Sequence, residues 1–306
     1  MAESVAARRA VAAPARRREL GRNLTAYLFV GPALIVLGAF IVYPAAYSFL
    51  LSFYEWSGFT PQWGDFVGLR NYVDLTRDPV FWKAGINSIL FVAFRTPLEV
   101  GIAFGLALLL NQQIPGRSFL RTMFFVPVVM SLIVVTILFQ RILEPNAGLL
   151  NTFLRSVGLD TLALPWLGDT STALPVVVLV SVWKNVGFSL VILLAGLQGL
   201  PTEVIEAARC DGANRWQLTL RVILPLMKPI LGIATVLSII GGLKVFDLVY
   251  IMTRGGPSYS TEVFATMLYR HAFDLNEMGI ASALAVVMVL VIMGTSRIQT
   301  ILLRDS

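Results

Sequence analysis

Six apolar runs separated by polar stretches dominate the order of residues: roughly Tyr27 to Phe53, Ile86 to Leu110, Met123 to Gln140, Leu174 to Leu197, Ile230 to Met252 and Met278 to Ser296. Each has the length and apolarity of a membrane-spanning helix, the second and fifth carrying some charge. The first holds no charged residue from Asn23 to Tyr54, which is too long for a signal-peptide core and is expected to remain as an anchor. The pattern predicts an all-α polytopic membrane protein with six transmembrane helices. Residues 1–23 are expected to form a basic, disordered tail ahead of a membrane domain over 24–306.

One polar stretch between two spans covers residues 199–229 and includes PTEVIEAARCDGANRWQLTLRVILPLMKP from Pro201 to Pro229. Pro201 suits a first helical position and Glu203 a first turn, while Val204, Ile205 and Ala208 share one face of a short amphipathic helix. Gly212 is expected to stop it. Asn214 then caps a second short segment through Trp216, Leu220 and Ile223, with Pro225 and Pro229 marking re-entry into an apolar helix.

Composition agrees with a membrane chain. Of 306 residues, 57% are hydrophobic and 14% charged, against about 25% charged in soluble domains. The single cysteine, Cys210, excludes a disulfide framework and a thiolate metal site. Charge sets orientation. With the N-terminus inside, fourteen Lys and Arg fall in the tail, the inner loops and the C-terminal end, and seven (Arg70, Arg77, Lys83, Arg141, Arg155, Arg254, Arg270) fall outside. Both termini and the 199–229 loop are then cytoplasmic. The outer loops, about Tyr54 to Gly85, Ile142 to Ala173 and Thr253 to Glu277, are acidic on balance. Their Trp56, Trp63, Trp82 and Trp166 suit an interfacial belt or a protein contact.

Glu206, Ala207 and Ala208, then Gly212 six positions after the Glu, then Leu224 and Pro225, resemble the EAA loop of permease subunits in binding-protein-dependent type I ABC importers; Val222 replaces the usual Ile. The resemblance implies that Glu206 to Ala213, with Asp211 between, docks as a coupling helix into a cleft of an ATPase. Three further stretches, FVGLRNY from Phe66, WKNVGFSLVILLAGLQGLP from Trp183 and KVFDLVYIMTRGGP from Lys244, resemble the oligosaccharide- and maltose-type branch. Together the resemblance covers all but the tail. It implies a bacterial cytoplasmic membrane location, alternating access, a second permease subunit, an ATP-binding subunit dimer, an extracytoplasmic solute-binding protein and a sugar substrate. Maltose-type sugar contacts fall near Asn185, Phe188, Ser238, Gly241, Gly242 and Val245. The residue types differ, so substrate identity does not transfer, and a similar pattern in a glycerol-phosphate permease keeps the ligand class open.

The chain's own chemistry is sparse. Its four lysines are followed by Ala, Asn, Pro and Val, so no G-x-x-x-x-G-K-[ST] exists, and no cofactor is expected in this chain: ATP and magnesium belong to the ATPase. His271, the only histidine, has no second ligand for zinc and is expected to be a solvated loop residue; nothing points to nucleic acid. Charge at membrane depth is costly and carries functional weight. Arg95 and Glu99 are spaced for an intrahelical ion pair, and so are Lys244 and Asp247. Gly241 and Gly242 permit close approach or a local break. Trp183, Asn185 and Phe188 at matching depth offer the aromatic faces and amide that a sugar needs. The candidate substrate residues are therefore Trp183, Asn185, Phe188, Ser238, Gly241, Gly242, Lys244 and Asp247. An ion-coupled secondary transporter using Glu99 and Asp247 is the alternative from another class, and it leaves the EAA-like loop unexplained.

Overall fold

The computed structural model describes residues 28–59 and 64–304. The basic stretch 1–23 and Trp63 lie outside them. The described residues fall into two units, up to Leu51 and from Ser52.

The first unit is a single apolar helix, α1 (Leu28–Leu51). Its middle is π-helical over Gly38–Val42, where the N–H of Tyr43 reaches back to the carbonyl of Gly38. Pro44 follows directly and has no N–H to give, so the ladder is adjusted one turn before it.

The second unit holds every other helix. After α2 (Arg70–Arg77), Asp78 caps α3 (Pro79–Leu110) by accepting from the N–H of Val80 at 2.8 Å, with Pro79 pre-set at the first position. That cap starts the helix seven residues before the expected Ile86. At 32 residues, and about 48 Å, α3 is longer than a bilayer core. It packs most extensively on α7 (Ala173–Gln198), and both also meet α9 (Arg215–Leu243). Small residues permit this: Gly196 lies close to Met227 and Ile230 of α9, and Ala103 and Ala107 are fully buried.

Two expectations need correction. The third apolar run is not one helix but a pair, α4 (Arg117–Val129) and α5 (Leu132–Ile142), bent by 97° and followed by a short α6 (Leu149–Ser156). Met130 and Ser131 between them are extended, with ψ of 142° and 132°. The fifth run does not continue to Met252. Its helix α9 ends at Leu243, two residues after the paired glycines begin, and a new helix, α10 (Asp247–Thr253), starts beyond a non-helical Lys244–Phe246. Such irregular backbone at membrane depth requires cover by protein or a polar cavity. Here α10 packs on α5 and α7 around Val135, Val177, Leu248 and Val249.

Beyond α10, the chain turns through Gly255 and Gly256 to α11 (Phe264–Tyr269) and ends in α12 (Met278–Arg304). Asn87 of α3 ties this turn down by donating to the carbonyls of Tyr259 and Glu262. His271 is not the solvated residue expected. It sits in a π-helical segment, Arg270–Asp274, is 7% exposed, and meets Glu277 at 2.8 Å. In all, the described residues contain five single helices and one bent pair with the length and apolarity to cross a membrane.

Candidate functional site

The EAA-like loop folds as a helix, a stop and a second start. α8 (Thr202–Cys210) follows Pro201, carries Glu203 in its first turn and Arg209 in its last, and buries none of its residues. Its end is a Schellman motif: the N–H of Ala213 bonds the carbonyl of Ala208 at 3.0 Å and that of Gly212 bonds Arg209 at 3.0 Å. Gly212 has φ of +81°, the left-handed conformation a side chain resists. Asn214 and Gln217 then form a reciprocal capping box at 2.9 Å each way. The expected second short segment is instead the start of α9, which passes Pro225 and Pro229 without breaking. A π-helical stretch, Leu218–Ile223, lets the N–H of Leu224 reach Thr219 just before Pro225. Glu206, Ala207, Asp211 and Pro225 are exposed, Ala208, Ala213 and Leu224 half-buried. Trp216 is 76% exposed, an apolar surface beside an exposed carboxylate.

At the far end of α9 lies a cavity of about 350 Å³. Its wall combines Arg95 of α3, Met130 and Leu132 at the α4–α5 bend, Ser181, Lys184 and Asn185 of α7, Gly241, and the Lys244 to Leu248 break. The bend is tied to α7 by Lys184, whose Nζ donates to the carbonyl of Val128 at 2.8 Å. That carbonyl lies in the last turn of α4, where a cation complements the helix dipole. Behind the cavity, Arg95 Nη2 pairs with Glu99 at 2.9 Å and Nη1 donates to the carbonyl of Ser238 at 2.8 Å. Glu99 also accepts from Ser189 at 2.7 Å and Ser238 at 3.1 Å, so α3, α7 and α9 share one buried polar cluster.

The candidate substrate residues therefore separate. Asn185, Gly241, Lys244 and Asp247 line the cavity together. Ser238 is taken up by the Arg95 cluster, and Gly242 is buried against Val92 and Arg95. Trp183 faces a different, apolar cavity of about 660 Å³ and meets Phe139 edge-on at 5.2 Å, while Phe188 is 46% exposed. Lys244 and Asp247 form no ion pair among the described residues, unlike Arg95 and Glu99. Helical spacing fails for them because the helix breaks between them. The sequence reading missed Arg95, Met130 and Leu132 as cavity residues. The signal for Arg95 was its depth in the span; the other two enter only through the bend. Phe246 adds an aromatic face, stacked on Tyr250 at 5.2 Å. Among the described residues, no group of three His, Cys, Asp or Glu can hold a metal.

Residues 99–305 match the model of the binding-protein-dependent transport system inner membrane component family. The chain belongs to this family. Similar proteins include the probable ABC transporter permease YurN of Bacillus subtilis, 40% identical over 89% of this chain and 94% of that one. The trehalose/maltose transport system permease MalF of Thermococcus litoralis is 33% identical over 85% of this chain and 87% of its own. The diacetylchitobiose uptake permease NgcF of Streptomyces coelicolor is 33% identical over 90% and 81%. Among solved structures, a chain of a bacterial alginate ABC importer shares the fold, with a TM-score of 0.80 at 22% identity over 94% of this chain and 98% of that one. In this permease, then, α9 joins the two candidate sites directly: its first residues follow the EAA loop and its last lie in the cavity wall.

Proposed function

We propose that this permease translocates a carbohydrate through the Asn185, Gly241, Lys244 and Asp247 cavity, as one of two membrane-spanning subunits of an ATP-driven importer. In this reading ATP and magnesium are bound by a pair of ATPase subunits that dock on α8, and an extracytoplasmic binding protein delivers substrate on the opposite face. The observation that carries it is α9, 29 residues from the coupling loop to the cavity, about 43 Å of continuous helix. A displacement of α8 by ATPase closure reaches the cavity along α9 as a rigid body, which is what alternating access requires. The carbohydrate reading is supported by the substrates for which relatives are named: trehalose and maltose, diacetylchitobiose, and sulfoquinovosyl glycerol. The concentration of cations on the loop side supports a cytoplasmic position for both termini.

Ion-coupled transport is disfavoured because Glu99 is committed to Arg95, Ser189 and Ser238, and because a mechanism resting on Asp247 alone leaves the EAA-like loop without a role. Reconstitution decides between the two. The complete complex in proteoliposomes is expected to accumulate labelled oligosaccharide only with ATP enclosed on the ATPase side and the binding protein outside. Uptake by this chain alone, driven by a proton gradient, contradicts the reading.

A further inference from the structure

Three Lys and Arg lie outside the loop and tail positions that set orientation: Arg95, Lys184 and Lys244. All three line the same 350 Å³ cavity. They come from three separate stretches of chain, so no local periodicity put them together. The only acidic residue in that wall is Asp247.

The three cations are not equivalent. Arg95 is neutralised by Glu99, and its Nε has no hydrogen-bond partner among the described residues. Lys184 and Lys244 form no ion pair among the described residues. Lys184 is 9% exposed and uses one donor on the Val128 carbonyl, leaving two of the three donors of an ammonium. A Lys that served only to close the end of α4 would not need a second lysine in the same cavity wall, since like charges disfavour one another. The Lys184 ammonium, nearly buried at membrane depth and without an ion-pair partner, is costly unless an anion or water completes it, and Lys244 lies exposed in the same wall. With the Arg95 pair set aside, the wall carries two positive charges against one negative.

We propose that the transported carbohydrate bears an oxyanion group, a carboxylate, sulfonate or phosphate, which Lys184 and Lys244 hold while Asn185 and Asp247 take its hydroxyls. Charge-assisted hydrogen bonds to ammonium are about twice as strong as neutral ones, so the anionic group supplies selectivity and the hydroxyl contacts supply orientation. The inference rests on the carbohydrate-permease reading above.

The test uses the purified complex of both permease subunits with the ATPase, without the binding protein, so that binding reports the membrane cavity. The probes are one labelled disaccharide ending in a uronic acid and its neutral counterpart with a hydroxymethyl group in place of the carboxylate. The acid is expected to bind at least about tenfold more tightly, an advantage that shrinks with added salt. Lys244→Gln changes an exposed side chain, so its folding is not at stake, and it is expected to remove most of that advantage. Lys184→Gln should do the same and Lys184→Arg should restore it. A neutral disaccharide that binds as tightly as the acid, and is carried on addition of ATP and binding protein, overturns the anion inference while the carbohydrate reading stands. An acid preference unchanged in both Gln variants also overturns it, since the lysines then serve other contacts. Competition by inorganic phosphate as strong as by the acidic sugar marks a plain anion site and overturns it as well. If neither sugar binds, both readings fall.

Discussion

Arg95 and Glu99 lie 5% and 2% exposed, and each satisfies the other at 2.9 Å. Their spacing made the pair legible in the sequence, but not its reach: the same two groups also bind Ser189 of α7 and Ser238 of α9, contacts ninety or more residues away that no local spacing encodes. Removing one partner leaves a buried charge, so Glu99→Leu alone should destabilise by about 3–5 kcal/mol, whereas Arg95→Met with Glu99→Leu should cost less than the sum of the two single changes. Thermal unfolding of the purified complex measures this, and strict additivity would show that the pair is not coupled. Glu262, in the turn outside the spans, behaves differently. Burial raises its carboxyl above the usual range, with Arg270 pulling the other way. The native state therefore keeps a proton that the unfolded chain has lost, and stability falls as pH rises from the ordinary carboxylate value through the raised one. Glu262→Gln should abolish that slope in a pH series of unfolding temperatures; a slope unaltered by the substitution would assign it to other groups.

The apolar runs predicted the existence of the helices well because a span must be apolar along most of its length, whereas the helix ends depend on chemistry of a few atoms. Gly212 and Asn214 were legible as stop and start since each acts through its own backbone and side chain. The 97° bend between α4 and α5 was not, because Met130 and Ser131 are ordinary residues whose extended conformation is stabilised from elsewhere, by Lys184 on the Val128 carbonyl. Gly241 and Gly242 announced the α9–α10 region, yet their reason is the approach of α3: a Cβ on Gly242 would stand 2.8 Å from Val92 Cγ2, and one on Gly241 3.3 Å from Arg95 Nη1. Gly242→Ala should accordingly push α9 from α3 and destabilise by about 1–3 kcal/mol, more than Gly241→Ala, whose neighbour is the end of a side chain. Equal unfolding temperatures for the two variants would contradict this account of the helix contact.

At the scale of the whole molecule, the cavity and the EAA-like loop occupy opposite ends of α9, and membrane orientation decides which of them faces the cytoplasm. Cys210 is exposed at the end of α8 and Ser156 is exposed in the loop between the third and fourth spans. In intact cells an impermeant thiol reagent should leave Cys210 unlabelled and modify Ser156→Cys in a Cys210→Ser background; the reverse pattern would invert the topology. The most direct test of the central claim is the ratio of substrate molecules carried to ATP hydrolysed by the complete complex with Gly212→Val or Glu206→Lys. Nothing lies within 4 Å of a Cβ at Gly212, so that substitution acts through the left-handed backbone alone, at a cost on the order of 1 kcal/mol or more. Glu206 is exposed and belongs to none of the buried clusters. Both variants should therefore insert and fold, yet lose ATPase subunits or hydrolyse ATP while carrying little substrate. Transport per ATP equal to that of the unsubstituted complex in both variants would contradict the assignment of α8 as the coupling element.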